Sequence, residues 1–563
     1  MLEPSSSSVG GPATEHLPGR VNGSDRPDAG GEDSGVRLAE LVAAFSLATD
    51  LGFGQPMEHV LRSWFIAGRI AERIGLETDA KQALYYVITL AMVGCVAETP
   101  ELAHWFGDDI IFRRDGYDVD LVGFPKRAFA MSHVGLGRPP LERLGRAAKL
   151  AAFGEKALER ILITHCIATG QMADQLGLGS GVSDPLQQVF ARWDGRGVPS
   201  GLGGEAIAIP VRLFHLADGV EVAHRSRGID AALDLVRARS GTQLDPSLVD
   251  AFCAEAPEVV DGVDSVADWN ALIEREPGLQ QRLTDIELDT ALEAIADFTD
   301  LRSPPRAGHS RAVAELSARA AQHAGLPKDD VTNARRAGLV HDLGMHGVPA
   351  TILDKPGRLT AAEFERVRLH AYYTERMLAR PPALARIGSV ASKVNERLDG
   401  SGYHRGLPGA ALPAPARILA AADAYQAMTE PRSFRPALTT KEATAELSAE
   451  VRAGRLASEA VEAVLAAAGL RRSKRRSGPA GLTPREVEVL ILVARGSSTK
   501  QVARALGITT KTRRHPHRTD LRQDRRFLPF DRNPLRVAAG SAQPLRSPRS
   551  VGWIPDVLRL LAA

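Results

Sequence analysis

The sequence predicts an all-α protein in which two related helical bundles stand in tandem and a helix-turn-helix remnant follows. Apolar residues recur at three- and four-residue spacing through most of residues 36–469, whereas the alternation typical of half-buried strands is scarce. Two long parts of this helical region align with each other, and the stretch after them carries helix-start signals. Together these observations predict the fold class.

Composition limits the classes of protein to which the chain can belong. Its 563 residues are 44% hydrophobic and 25% charged, which allows two to four domains with sizeable cores. A formal net charge of +2 excludes polyanion binding over the whole surface, so any nucleic-acid contact must be local. Cys95, Cys166 and Cys253 form no CxxC pair or metal-binding spacing, as expected in a reducing cytoplasm.

We expect a cytoplasmic protein without a membrane span. The N-terminal stretch "MLEPSSSSVGG" has neither the basic nor the apolar region of a signal peptide. No run of eighteen or more apolar residues occurs in the sequence.

Changes in composition divide the chain into six segments. Ser, Gly, Pro and acidic residues dominate the N-terminus, and a charged stretch that contains Pro and Gly follows the helical region. The predicted segments are a disordered tail (1–35), the first bundle (36–300), the second bundle (301–470), a basic linker (471–480), a truncated helix-turn-helix module (481–512) and a tail of different composition (513–563).

An internal repeat connects the two bundles. Residues 59–76 align with 309–326 at a constant shift of 250 (309 − 59), and residues 165–218 align with 370–423 at a shift of 205 (370 − 165). The first copy therefore holds about 45 more residues (250 − 205) between its halves. Such a pattern predicts the duplication of a whole domain and not a solenoid. The polar residues that it pairs are His59 with His309, His165 with His370, and Asp218 with Asp423.

The second copy carries side chains that suit a divalent-metal centre. Imidazoles and carboxylates are ligands that Fe, Mn, Zn or a similar ion accepts. His341 and Asp342 are adjacent, so on a helix they diverge by about 100° and can serve two neighbouring metals, or the carboxylate can bridge them. Two metals about 3.5–4 Å apart can hold a phosphodiester and supply a hydroxide at neutral pH. The candidate ligands are His309, His341, Asp342, His370 and Asp423.

Longer motifs in the same segment resemble a known family. "GHSRAV", "HDLG", "VPATILDKPGRLTAAE", "ERLDGSGY" and "ARILAAADAYQAMTEPRSFRPALT" are similar to the HD superfamily of metal-dependent phosphohydrolases, and more closely to the HD-GYP family, which hydrolyses cyclic di-GMP. The resemblance implies that the five candidates are metal ligands, with Asp342 bridging and with His341 and Asp342 at the catalytic centre. The substrate contacts that it implies are Gly402, Tyr403, Arg432 and Arg435.

Three departures from the family pattern leave two functions open. The family has two further histidine ligands where this chain has Val394 and Asn395, a lysine at Met345, and a proline at His404. Valine cannot bind a metal and asparagine offers only a neutral carbonyl, so the affinity for metal is weakened or lost. His404 follows Asn395 by nine residues and is not expected to replace these ligands. The intact His-Asp pair favours a cyclic dinucleotide phosphodiesterase, and the departures favour a non-catalytic sensor or dimerisation protein that controls DNA binding.

The first copy has lost more of the pattern. Ala91 and Met92 stand where the second copy has its His-Asp pair, and Val189 and Phe190 correspond to Val394 and Asn395. Without a bridging carboxylate we expect a non-catalytic domain that serves packing, dimerisation or ligand sensing.

The expected partners of the whole chain are a cyclic dinucleotide or other phosphodiester, DNA, and a second copy of the chain in a homodimer. His346 is expected at the surface or in a turn.

The segment 481–512 carries the signals of a DNA-binding module. Thr483 and Glu486 form a capping box with Pro484 at the first helical position, and Gly507 ends the next helix. "LTPREVEVLILVARG" resembles the LuxR-type DNA-binding domain, whose following helix enters the major groove. The resemblance implies that Lys500, Lys511 and Thr512 face phosphates or bases.

After Thr512 the resemblance stops. Pro516 falls within the expected recognition helix, where proline costs about 3 kcal/mol. Residues 513–563 contain eleven Arg and no Lys. One choice of codons, read with a single base dropped after Thr512, gives Val-Gly-Thr-His-Ile-Glu-Arg-Ile-Tyr-Ala-Lys-Ile-Gly-Val, which resembles the missing helix. The sequence therefore predicts a frameshift after Thr512 and a DNA-binding domain without most of its recognition helix.

We predict that the chain with this sequence binds DNA weakly and largely by electrostatics, because phosphate contacts remain while base contacts are lost. Fluorescence anisotropy with a labelled duplex at about 50 and about 200 mM salt should show affinity falling steeply as counterions compete. A nanomolar, sequence-specific complex that is insensitive to salt would contradict this prediction.

Overall fold

The computed structural model describes residues 33–117, 119 and 123–470, together with the single residues 492, 501, 504 and 505. The predictions that lie outside the described residues concern the tail 1–32, the linker 471–480, the DNA contacts of Lys500, Lys511 and Thr512, and the tail 513–563. Disorder, DNA contact and frameshift in these segments stay predictions.

The described residues form 22 α-helices and one small antiparallel sheet, which confirms the all-α fold class. The sheet pairs β1 (Asp33–Arg37) with β2 (Arg282–Thr284). Residues 33–35, which the sequence assigns to the disordered tail, therefore belong to a strand, because their backbone pairs with a segment about 250 residues away.

The helices are joined by connections of different length, from single turns to the long loops before Ile209 and Ala414. The N-terminal ones are α1 (Leu38–Gly52), α2 (His59–Arg73), α3 (Thr78–Leu90), α4 (Cys95–Phe106), α5 (Asp109–Gly116), α6 (Gly123–His133), α7 (Pro140–Gln175), α8 (Ser180–Leu186), α9 (Ile209–Arg227), α10 (Ile229–Arg239), α11 (Pro246–Ala254), α12 (Ala256–Val260) and α13 (Trp269–Arg275). The C-terminal ones are α14 (Asp285–Asp300), α15 (His309–His323), α16 (Lys328–Val340), α17 (Ala350–Leu353), α18 (Ala361–Leu378), α19 (Pro382–Ala391), α20 (Ala414–Thr429), α21 (Thr440–Arg452) and α22 (Ser458–Ala467).

Local sequence explains where several helices begin. A capping box starts α14, α18 and α21, with Thr at the N-cap and Glu three residues later. In α18 the Thr360 N–H donates to Glu363 Oε2 (2.7 Å) and the Glu363 N–H donates to Thr360 Oγ1 (3.3 Å). These bonds satisfy backbone donors that the first turn of a helix leaves without partners.

Equivalent contacts recur in the two bundles at the shifts found in the sequence. The N–H groups of Val60 and Ser310, 250 residues apart, donate to the carboxylates of Asp50 (3.1 Å) and Asp300 (2.9 Å). At the other end of each repeat, the N–H groups of Gly94 and Gly344 donate to the hydroxyls of Thr169 and Thr374, each at 3.0 Å. Asp50 belongs to α1 and Asp300 to α14, so α14 has the place in the second bundle that α1 has in the first. The boundary predicted after residue 300 instead assigns α14 to the first bundle.

A buried ionic network joins the two bundles. The Asp109 carboxylate, which is fully buried, accepts hydrogen bonds from Arg113 Nη1 (2.8 Å), Arg302 Nη2 (3.0 Å) and the Ala350 N–H (2.9 Å). Arg302 also donates from Nε to the Val348 carbonyl (2.9 Å). Burying these charges is tolerable because each has close partners of opposite polarity. One hydrophobic core continues across this junction from Val36 to Leu419.

His346 lies in this junction and not at the surface. Its side chain is in the short turn Leu343–Gly347 but is only 2% exposed, with its ring edge-on to Phe45 at 6.1 Å. Burial, together with the nearby charges of Arg302 and Arg113, lowers the pKa of His346 to about 3. Of the two places expected for His346, the turn is correct and the surface is wrong, because α1 of the first bundle covers this turn.

The apolar segment Thr78–Phe106 is long enough to cross a membrane by length and composition, but 67% of its most apolar window is buried inside the protein. The segment contributes α3 and α4 to the core. A buried core helix can be as long and as apolar as a membrane-spanning one. One such segment is weak evidence for a span.

We predict that His346 makes the protein less stable as pH falls below about 6.5. Its pKa is about 3 when folded and about 6.5 in an unfolded chain, so the unfolded state binds a proton that the folded state excludes. The contribution of His346 to the free energy of unfolding is therefore fully present above pH 6.5, and below that pH it falls by up to about 1.4 kcal/mol per pH unit.

Urea denaturation of the wild type and of His346→Gln between pH 7 and 5 measures this contribution as a difference. The substitution should reduce the pH slope, whereas His323→Gln, at an exposed histidine, should leave it unchanged. Equal slopes in the wild type and His346→Gln would contradict the prediction.

Candidate metal centre

Four elements of the second bundle bring the five predicted ligands to one place. His309 opens α15, His370 lies within α18, and Asp423 lies within α20. His341 and Asp342 follow the end of α16, where the chain enters a short turn, so the pair sits just past a helix and not inside one. All five side chains are buried, with at most 7% of any residue exposed.

Three of these side chains surround one point. His309 Nε2 lies 3.2 Å from Asp423 Oδ1, and His341 Nε2 lies 3.7 Å from the same oxygen. One donor atom from each of these residues falls within 4.8 Å of the other two. Asp342 adds Oδ2 at 3.3 Å from His341 Nε2. An imidazole–carboxylate set of this size can hold a divalent cation.

The imidazole of His341 presents a nitrogen lone pair to this point. Its Nδ1–H donates to the Gly338 carbonyl (2.8 Å), which leaves Nε2 without a proton. Within the described part of the chain, Nε2 is buried and has no hydrogen-bond partner. Burial lowers the pKa of His341 to about 3, so the ring is neutral at pH 7. A neutral ring oriented through its other nitrogen is the usual state of a metal-bound histidine.

A cation would relieve an unfavourable arrangement at this nitrogen. The lone pair of His341 faces the carboxylates of Asp342 and Asp423, and negative atoms at this separation repel one another in a buried site. Burial alone would raise the pKa of Asp423, but its hydrogen bond with His309 and the nearby charges lower it to about 2. The residues present therefore fit a bound divalent ion.

Asp342 lies between two halves of the site. Its Oδ2 faces His309 (4.0 Å) and His341 (3.3 Å), whereas its Oδ1 faces His370 Nε2 (3.9 Å). This is the placement that a bridging carboxylate requires. On the His370 side, however, Asn395 Nδ2 lies 3.0 Å from His370 Nε2 and occupies its lone pair. The second half of the site is therefore closed by a hydrogen bond.

Two charged residues at the site were missed by the sequence reasoning. Arg306, 8% exposed, forms a close ion pair with the Asp342 carboxylate, and burial lowers its pKa to about 10. Glu430 Oε2 lies 2.8 Å from His309 Nδ1 and orients that ring from behind. Neither residue belongs to a ligand pattern in the sequence, so only the fold identifies them.

The turn with the predicted substrate residues Gly402 and Tyr403 supports the His370 side. A Cβ at Gly402 would lie 2.5 Å from the Asn395 carbonyl oxygen, so only glycine fits there. The Tyr403 N–H donates to that same carbonyl (3.1 Å), and the Tyr403 ring lies edge-on to His370 at 6.1 Å. His404 instead pairs with Glu375 (2.8 Å) and does not join the site.

The two arginines predicted to contact the substrate differ in how many hydrogen bonds their guanidinium groups already make. Arg432 Nη2 contacts Glu430 (3.0 Å) and His309 Nδ1 (3.3 Å), while its buried Nη1 has no hydrogen-bond partner among the described residues. The Nη atoms of Arg435 donate to the carbonyls of Ala427, Met428, Glu430 and Pro436 around the C-terminus of α20. Arg435 thus caps the C-terminus of α20, and it could contact a substrate only by breaking these hydrogen bonds.

In the first bundle the equivalent histidine, His59, also lies between two carboxylates. His59 Nε2 lies 3.0 Å from Asp218, and its Nδ1 lies 2.5 Å from Glu221. Burial alone would lower the pKa of His59, but these two carboxylates raise it to about 10. His309 has the same two kinds of partner, but Ala91 and Met92 stand where the second bundle has His341 and Asp342, so His59 and Asp218 lack these further ligands.

The sequence matches two families. Residues 293–458 match the HD domain family, and residues 480–519 match the bacterial regulatory proteins of the luxR family. The first match begins inside α14, and the second covers a segment that lies almost entirely outside the described residues.

Several curated phosphodiesterases are similar to the chain. A 3'3'-cGAMP-specific phosphodiesterase 3 of Vibrio cholerae is 30% identical over 413 residues, which cover 72% of this chain and 90% of that protein. A cyclic di-GMP phosphodiesterase of Thermotoga maritima is 37% identical over 177 residues, 31% of this chain and 48% of that protein. The crystal structure of a cyclic GMP-AMP specific phosphodiesterase of V. cholerae has a TM-score of 0.55 and 26% identity, covering 78% of this chain and 99% of that one.

We predict that Asn395→His increases the metal content of the chain by about one ion. The substitution removes the amide donor from His370 Nε2 and adds an imidazole beside it, which opens the half of the site now closed by the hydrogen bond. Mass spectrometry of the metal bound after incubation with Mn²⁺ and dialysis gives the ratio. Asn395→Leu removes the amide without adding a ligand and should not raise the ratio, and equal content in all three proteins would contradict the prediction.

Proposed function

This chain belongs to the HD-domain phosphodiesterase family, and from that premise we propose that its second bundle hydrolyses a cyclic dinucleotide with the help of a bound divalent metal. The chain joins this phosphohydrolase domain to a LuxR-type DNA-binding domain. The observation that carries the proposal is the buried Nε2 of His341, which faces the carboxylates of Asp342 and Asp423 and, among the described residues, has no hydrogen-bond partner.

His309, His341, Asp342 and Asp423 would hold the metal. Their nitrogen and oxygen donors favour Fe, Mn or a similar ion over a metal that prefers thiolates. When bound, such an ion activates a phosphodiester and a water molecule as a Lewis acid. Affinity below that of the family is expected, because Val394 and Asn395 replace two of its ligands.

The protein's own side chains orient the site and neutralise its charge. Arg306 pairs with Asp342 and offsets part of the negative charge that a phosphodiester would meet. Arg432 keeps a buried Nη1 that has no hydrogen-bond partner in the described ranges and can donate to a phosphate oxygen. Glu430 fixes the ring of His309. Together these residues would orient a phosphate beside the ligands.

The substrate class follows from the relatives. They are a 3'3'-cGAMP-specific enzyme and cyclic di-GMP enzymes, all of which act on a cyclic dinucleotide. The LuxR-type domain makes DNA the second partner, with contacts predicted at Lys500, Lys511 and Thr512. A homodimer and a cytoplasmic location are part of the same proposal, since regulators of this kind meet both the nucleotide and DNA in the cytoplasm.

A non-catalytic sensor is the second candidate, and one observation favours it. The hydrogen bond between Asn395 and His370 closes half of the site, so the chain would bind a cyclic dinucleotide without hydrolysing it. In that case ligand binding would act on the DNA-binding domain. A hydrolysis assay separates the two candidates.

We predict that the full chain, loaded with Mn²⁺ or Fe²⁺, hydrolyses 3'3'-cGAMP or cyclic di-GMP. Asp342→Ala should lower the rate by at least about 100-fold, because it removes the bridging ligand and leaves Arg306 without its partner. Chromatography of the linear product measures the rate.

Asp329→Ala, whose carboxylate is 80% exposed on α16, is the matched control and should retain the wild-type rate. If the wild type binds the nucleotide but releases no more product than Asp342→Ala, the sensor is correct and the enzyme is not.

A further inference from the structure

We propose that Cys95, Glu98 and His165 form a second metal site, of the zinc type, in the first bundle. This site is separate from the candidate centre of the second bundle and does not depend on hydrolysis there. All three residues are buried, with at most 6% exposed. The sequence gives no hint of it, since the three cysteines have no metal-binding spacing.

The three donor atoms lie within 4.8 Å of one another, and the two separations from His165 are those of ligands around one ion. Cys95 Sγ lies 3.5 Å from His165 Nδ1, and Glu98 Oε2 lies 3.6 Å from the same nitrogen. Zn–S bonds of about 2.3 Å and Zn–N or Zn–O bonds of about 2.0–2.1 Å at tetrahedral angles place such atoms roughly 3.3–3.6 Å apart. Cys95 and Glu98 are three residues apart on α4 and so share one face of it, while α7 supplies His165.

His165 is oriented for this site. Its Nε2–H donates to the Ala91 carbonyl (2.7 Å), so Nδ1 carries the lone pair that faces Cys95 and Glu98. The repeat-equivalent His370 does the reverse, bonding the backbone through Nδ1 and facing its site through Nε2. The first bundle has therefore kept the histidine but turned its lone pair towards new neighbours.

Glu98 provides a second, independent indication of a cation. Its Oε1 accepts from Arg113 Nε (3.4 Å) and Nη2 (3.5 Å). Its Oε2 is buried and, within the residues that the structure describes, has no hydrogen-bond partner, although it faces the lone pair of His165. Burial of a carboxylate oxygen in this state is costly, and a metal ion between the two atoms would remove the cost.

An ion can reach the site from solvent. Glu98 lines an open cavity of about 290 Å³ whose wall also includes Met92, at the position of Asp342 in the repeat, and Phe190, at the position of Asn395. A water molecule from this cavity can fill a fourth position, as in zinc sites with three protein ligands. The site is particular to the first bundle, since Met345 and Val348 occupy the positions 250 residues after Cys95 and Glu98.

A thiolate, an imidazole and a carboxylate together favour Zn²⁺. Binding would form the metal–sulfur bond and release the thiol proton of Cys95 to solvent, with no change of oxidation state. The alternative without metal is a weak S–H···N hydrogen bond from Cys95 to His165. That alternative leaves the buried Glu98 Oε2 without a hydrogen-bond partner among the described residues.

Cobalt distinguishes the proposed site from the other centre. Apo full chain is titrated with Co²⁺, and the near-ultraviolet charge-transfer absorption of a cobalt–thiolate bond is recorded. The second bundle's candidate ligands contain no sulfur, so Asp342→Ala should keep the band. The absorption band should saturate at about one Co²⁺ per chain. It should be lost in Cys95→Ser and retained in the matched control Cys166→Ser.

Zinc content provides a second readout. Cys95→Ser should lower the zinc bound by the purified full chain by about one ion, and Glu98→Gln should weaken Co²⁺ binding at least about tenfold while preserving the side-chain volume. Circular dichroism checks that each variant is folded, and Glu98→Gln decides the matter if Cys95→Ser does not fold. Absence of the band in the folded wild type, or an equal band in Cys95→Ser, would overturn the proposal.

Discussion

The candidate site depends on one constraint: lone pairs buried inside an apolar helical bundle must face positive charge. His309, His341, Asp342 and Asp423 come from separate elements and aim nitrogen and oxygen atoms at one another within a few ångströms. Arg306 forms an ion pair with Asp342. Because burial keeps His341 neutral and Asp423 stays ionised, the site keeps an excess of electron-rich atoms that a divalent cation matches.

The two bundles meet this constraint in different ways with the same framework. His309 and His59 each lie between two carboxylates. In the second bundle His341 and Asp342 also face His309, whereas Ala91 and Met92 stand at their positions in the first bundle, where the carboxylates raise the pKa of His59 to about 10. The equivalent histidines His370 and His165 likewise use opposite ring nitrogens. The first bundle thus has Ala91 and Met92 at the positions of the His-Asp pair, and its buried His59 and His165 have partners of their own.

The bundles also depend on each other for packing. Asp109 of the first bundle binds Arg302 of the second, and α1 covers the turn that follows Asp342. That turn carries a predicted metal ligand at one end and the buried His346 at the other. The first bundle therefore supports the geometry of the second through a shared core.

The sequence by itself determined the helical class, the repeat with its two shifts, and the five residues that meet in the second bundle, because each is encoded in local periodicity or in a motif. Only the tertiary structure decided the partners: Arg306 and Glu430 at the site, Asn395 on His370, and Cys95 with Glu98 and His165. These contacts join residues from different helices, often far apart in the chain. Their distances depend on how the helices pack, which no spacing along the chain specifies.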